Sequence, residues 1–176
     1  VYLSSIYELY NRQKYLQVIS IVEKLKDSRA FFRYDLPAQI RIQEFYCRAL
    51  ARQTDQRFYE EVEFFKNDAT KNLVEYEFLR GFMFRHKSEY GKALDRYKRV
   101  LEMQPHHRSA MREIVIVYRG LYDYESAYEY AKSNYINEPE NPFHIQPFFE
   151  ILVRKSAKNR TSEENEYIQQ MLSTIT

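Results

Sequence analysis

Apolar side chains recur along most of this chain three or four positions apart, the spacing of one face of a helix. Between Asn11 and Ser28, Tyr15, Val18, Ile19, Val22 and Leu25 share such a face. Near the other end, "TSEENEYIQQMLSTI" places Tyr167, Ile168, Met171, Leu172 and Ile175 on another, with Thr161 and Glu164 at capping-box spacing before it. The stretch "AQIRIQEFYCRALARQTDQRFYEEVEFFKND" reads as two helices turning near Thr54 and Asp55, the first of them started by Asp35-Leu36-Pro37. Asn141-Pro142 supplies an N-cap and a first-turn proline for a ninth helix, while Pro147 offers a later start near Gln146. The pattern predicts about ten helices in five pairs. With only three glycines and five prolines there is too little turn punctuation for an all-β fold. The fold class is all-α.

Two stretches are variants of one another: "SEYGKALDRYKRVLEMQP" from Ser88 and "YDYESAYEYAKSNYINEP" from Tyr122. A shift of 34 residues lays Phe84 on Tyr118, Tyr90 on Tyr124, Ala93 on Ala127 and Pro105 on Pro139. Such a period marks a repeat architecture. Ala93 and Ala127 suit a close crossing of two helices. Tyr90 and Tyr124 open the second helix of each unit and are expected to fill the angle of the pair. Pro105 and Pro139 end it, because proline cannot continue a helix and pushes the preceding residue out of the α region. The clearest repeats are residues 74–107 and 108–141, and an irregular link over residues 27–37 breaks the period upstream.

These residues resemble the tetratricopeptide repeat family. In the first repeat Gly81, Phe84, Ala93, Tyr97 and Pro105 occupy the family's small, aromatic, alanine, aromatic and proline positions, although Glu77 replaces its tryptophan and Arg80 its leucine. The second repeat keeps Tyr118, Ala127 and Pro139 but has Val115 for the glycine and Ala131 for the second aromatic. The resemblance implies one array of antiparallel helix pairs over residues 1–176, stacked as a right-handed solenoid, with the first helix of each pair lining a concave side. It implies that Glu75, Phe78, Phe82, Arg85 and His86 face that side, as do Ser109, Arg112, Ile116, Arg119 and Gly120. Extending the register adds Arg41, Glu44 and Arg48 upstream, then Phe143, Gln146 and Glu150 downstream, with Arg154 near the rim. The partner-binding set expected from this is Arg48, Phe78, Phe82, Arg85, Arg112, Ile116 and Arg119. The arginines would hold carboxylates or phosphates, and Phe78, Phe82 and Ile116 would take apolar side chains. The family's chaperone-binding clamp is not expected, because Phe78 and Phe82 occupy two of its positions and Glu113 stands where an asparagine would.

Candidate chemistry changes this picture little. His106-His107 follows Pro105 without cysteine or carboxylate at ligand spacing, so no metal or other cofactor is expected. Gly91-Lys92 lacks the earlier glycine of a phosphate loop, and Cys47 has no local histidine to activate it. No catalytic residue is assigned, and the chain reads as a protein-binding scaffold rather than an enzyme. With 27 basic and 25 acidic residues the net charge of +2 favours no class of partner. The expected ligand is a protein or peptide of acidic character, not a small molecule. One alternative is an array regulating a catalytic domain elsewhere in a longer protein, suggested by a chain that begins at Val1 already in helical pattern. Another is nucleic acid, for which "FLRGFMFRHK" and "HHRSAMREIVIVYR" interleave basic residues with rings, against the charge balance. No run approaches the ~20 apolar residues of a membrane span. The single cysteine favours a reducing, cytoplasmic setting. The weakly polar "VYLSSIYELY" is the end at which a homodimer would form.

Overall fold

The computed structural model describes residues 2–175, with side chains through residue 174. The expectations placed on Val1 and on the Ile175 side chain lie outside the described residues. Ten α-helices follow in order: α1 (Tyr2–Asn11), α2 (Tyr15–Asp27), α3 (Leu36–Arg52), α4 (Phe58–Glu61), α5 (Leu73–His86), α6 (Tyr90–Met103), α7 (Arg108–Gly120), α8 (Tyr124–Asn137), α9 (Pro142–Arg154) and α10 (Ser162–Ile175). Three 3-10 turns lie at Ala30–Arg33, Val62–Lys66 and Ala157–Asn159, and no strand occurs among the described residues. The helices sort into two compact units, one ending at Met103 and the other beginning at Gln104.

Local chemistry accounts for the starts. Asp35, Asn72, His107, Asp123 and Asn141 each accept a hydrogen bond from a first-turn amide of α3, α5, α7, α8 and α9. Thr161 and Glu164 close a reciprocal box, with the Glu164 amide donating to Thr161 Oγ1 (3.1 Å) and the Thr161 amide to Glu164 Oε2 (2.8 Å). The later start for α9 near Gln146 is not taken, since the helix begins at Pro142 and runs through a buried Pro147. The prolines lie just past the helices they follow, Pro105 after α6 and Pro139 after α8.

One turn geometry is used four times. Gln13, Thr54, Ser88 and Tyr122 follow α1, α3, α5 and α7 with φ of 59°, 51°, 61° and 60°. In each turn this residue's amide donates to the carbonyl three positions back. The next amide reaches five back, as in Asp55 to Leu50 (3.0 Å), Glu89 to Phe84 (2.9 Å) and Asp123 to Tyr118 (3.0 Å). That is the Schellman closure, which satisfies the last carbonyls of a helix. Positions 54, 88 and 122 stand at the same 34-residue interval as the sequence repeat, so the interval also covers the α3–α4 turn. None of the four is glycine, and a β-branched threonine is poorly suited to a left-handed backbone. Thr54→Gly is expected to stabilise the chain by about 1 kcal/mol, read as a melting temperature higher by roughly 2–4 °C.

In the first unit the core gathers Ile6, Val18, Val22, Leu50, Phe58 and Phe65 from α1 to α4 and the following 3-10 turn. Each leading helix touches the next, α1 on α3 and α3 on α5, and α2 packs on α3. The second helix of the second pair is reduced to one turn, α4, continued as the 3-10 turn at Val62–Lys66. Asn67 stops it there, its side chain donating to the Phe64 carbonyl and accepting from the amides of Ala69 and Thr70. Phe31, from the irregular link, fills the adjoining space with its ring 6.2 Å from that of Phe64.

The α5–α6 contact turns on glycine. A Cβ at Gly81 would stand 2.8 Å from Cε1 of Tyr97, a ring with no exposure, so the two helices approach at the pair the repeat picks out. Ala93 is fully buried on the same helix as Tyr97. The two departures from the family's pattern carry polar contacts. Glu77 is buried and pairs with Arg96 (2.9 Å) and Arg99 (3.7 Å) of α6, and Arg80 lies over the ring of Tyr76 (5.4 Å).

In the second unit α7 packs on α8, α8 and α7 both touch α9, and α10 packs on α9. Val115, Ala127, Ala131, Tyr135, Phe148 and Met171 belong to one buried cluster. Val115 and Ala131 take the places that Gly81 and Tyr97 hold one repeat earlier, so a small–large pair has become one of intermediate sizes. Tyr124 corrects an expectation. It points outward, 62% exposed, with its ring against Tyr122 (6.4 Å), and leaves the angle of its helix pair unfilled. Tyr90, its counterpart, is half-buried, as are Phe84 and Tyr118.

Candidate functional site

On α3 and α5 of the first unit, residues assigned to one side by repeat register do meet. Arg48 lies 2.8 Å from Glu44 and 3.7 Å from Glu75, and Arg41 reaches Glu44 at 3.6 Å. The Arg48 guanidinium covers the ring of Phe78 at 4.9 Å and that of Phe82 at 5.9 Å. Arg52 and Arg85 stand over the same Phe82 ring at 5.1 Å and 5.0 Å, and Arg52 also faces Tyr15. Three guanidinium groups thus share one aromatic ring, which offsets part of their mutual repulsion through its quadrupole.

The counter-charges are unevenly placed. Both acids lean on Arg48, while no carboxylate among the described residues stands within ion-pair range of the exposed Arg52. Burial, with Glu44 beside it, pushes the Glu75 carboxyl up to about 7 despite the nearby arginines. His86 stacks edge-on against Phe82 (4.6 Å), and Arg85 lies 3.0 Å from its Nε2. Arginine can only donate, so Nε2 is the accepting nitrogen. Burial and the arginines Arg85 and Arg52 bring the His86 pKa down to about 3, so the ring is neutral near pH 7.

Phe78 and Phe82 are a correction. They were expected to take apolar side chains of a partner, but they are 1% and 2% exposed, roofed by arginines and with Phe78 against Tyr97 (5.6 Å). Large rings four positions apart on a helix bury more apolar area facing the core than facing a groove, and the guanidinium groups close over them. They form the platform and the arginines form the surface. Arg52 was missed, although it lies one turn beyond Arg48 on the same helical face.

The second unit repeats the theme on a smaller scale. Arg112 lies over Phe143 at 6.0 Å, and Arg119 pairs with Glu150 (3.1 Å), which in turn accepts from Gln146 (3.1 Å). Ile116 is half-buried. Beside them the ends of α7 and α9 and the start of α8 border a cavity of about 420 Å3.

Other reactive groups have structural surroundings. Cys47 is fully buried, with Gln43 Nε2 3.9 Å from Sγ, and burial holds its pKa well above the ordinary thiol range. His107 caps α7 through Nδ1, and His144 is buried 3.9 Å from Glu138. Among the described residues no group of three His, Cys, Asp or Glu side chains is placed to hold a metal ion, and no helix is long and apolar enough to cross a membrane. The chain matches no protein-family model and no curated protein.

Proposed function

We propose that the chain is a non-catalytic protein-interaction module, a tetratricopeptide-like solenoid of helix pairs whose leading helices bind an acidic peptide segment. Support for the solenoid comes from the Schellman turns at one sequence interval and from the stepwise contacts of α1, α3 and α5 and of α7 and α9. The observation that carries the ligand chemistry is the arginine cluster on Phe82, where the exposed Arg52 has no carboxylate partner among the described residues. A peptide carboxylate would complete that cluster, and Arg41 on the same helix extends the cationic face. A few such anchors dominate the affinity of an interface of this kind.

Selection of peptides from a random displayed library tests the reading. Sequences rich in Asp and Glu are expected to be enriched. The best of them should lose about tenfold in affinity, or roughly 1.4 kcal/mol, on Arg52→Glu while helicity and melting stay unchanged. Enrichment without acidic bias, or affinity indifferent to Arg52→Glu, would overturn the assignment.

A further inference from the structure

The cavity bordered by α7, α8 and α9 has a composition of its own. Ala127, 1% exposed, contributes a floor without a long side chain, and Ile151 and Tyr128 supply apolar walls. Tyr128 is held in place by the ring of Phe148 at 5.9 Å. The space stays open because Tyr124, which also lines it, turns outward against Tyr122. At about 420 Å3 it sits at the low end of the roughly 300–1,000 Å3 of ligand sites, room for one or two side chains.

Its rim is cationic, with Arg119, Arg154 and Lys155 against the single lining carboxylate of Glu125. Arg119 is engaged by Glu150, and Lys155 Nζ by both oxygens of Glu164 at 2.9 and 3.0 Å. Arg154 is exposed and has no carboxylate in ion-pair range among the described residues. An apolar floor beside one uncommitted guanidinium asks for a ligand that is apolar at one end and anionic at the other.

We propose that this cavity is a peptide-side-chain site. It takes a large apolar side chain against Ala127, Ile151 and Tyr128, and the carboxylate of the adjacent acidic residue pairs with Arg154. It shares no residue with the α3–α5 face, so each site is tested without the other.

The probe is the capped dipeptide acetyl-Phe-Glu-amide, added to the isotope-labelled chain and followed by amide chemical shifts. Controls are acetyl-Phe-Gln-amide, which removes the charge, and acetyl-Gly-Glu-amide, which removes the ring. Saturable shifts are expected at Ala127, Tyr128, Ile151 and Arg154 within about 5 mM probe, with each control binding about tenfold more weakly. Arg154→Glu, at an exposed position, should abolish the charge preference. Ile151→Trp, which fills the cavity, should abolish binding of the ring. Absence of shifts at these residues, equal binding of the Gln and Glu probes, or indifference to both substitutions would overturn the proposal.

Discussion

Gly81→Val is expected to destabilise the chain by about 2–3 kcal/mol, lowering its melting temperature by roughly 5–10 °C. Valine is a slightly better helix former than glycine, a gain of a few tenths of a kcal/mol. Against that, its Cβ alone falls 2.8 Å from the Tyr97 ring and 3.2 Å from Arg96 Cβ. Tyr97 has no exposure and no free direction in which to swing. The clash wins. Gly91 supplies the control, because a Cβ there meets nothing within 4 Å and Gly91→Ala should stabilise by up to about 1 kcal/mol. The second repeat suggests the remedy, since it places Val115 and Ala131 where the first has Gly81 and Tyr97. Tyr97→Ala alone should cost about 3–5 kcal/mol through the cavity it leaves. The double variant Gly81→Val/Tyr97→Ala should cost at least ~1 kcal/mol less than the sum of the two, read from urea midpoints. Strict additivity would show that the two positions do not face each other.

Glu75→Gln should raise stability, by about 2 kcal/mol near pH 8 and by almost nothing near pH 4. Glu75 and Glu44 converge on Arg48, and the Glu75 side chain is 13% exposed. Its folded-state pKa of about 7 lies above the ordinary 4.5, so the folded chain holds this proton more tightly than the unfolded one. The group's contribution is therefore most favourable below about pH 4.5, declines as pH rises toward 7, and stays unfavourable above. The amide removes the ionisation while keeping an acceptor for Arg48, which retains Glu44 at 2.8 Å. The difference between wild-type and variant urea midpoints across that range isolates the group from other carboxylates. A difference that does not change with pH would show that Glu75 is already an ordinary carboxylate.

Much of the fold was legible because its signals are local. Asp35, Asn141 and the Thr161–Glu164 box depend only on neighbours in the chain, and the turn at Thr54–Asp55 announced itself by polarity. The shortening of the fourth helix was not legible. Phe58, Val62 and Phe65 keep helical spacing, while the partner that fills the gap, Phe31, comes from a remote link. The site was half legible. Register brought Glu44, Arg48, Glu75, Phe78, Phe82 and Arg85 onto one side, but it could not say which layer would be buried. That depended on the arginines of α3 reaching over the rings of α5. The cavity beside Arg154 had no linear signature, because its lining is assembled from separate stretches of the chain, Arg119 from α7, Tyr124 to Tyr128 from α8, and Ile151 and Arg154 from α9.

Cys47 lies at zero exposure among α3 side chains, and it is the only cysteine in the sequence. A thiol reagent needs both access and a thiolate, and the folded environment withholds both. Modification must then wait for this part of the first unit to open. The labelling rate is a built-in clock for that opening, readable in the unmodified protein without any engineered probe.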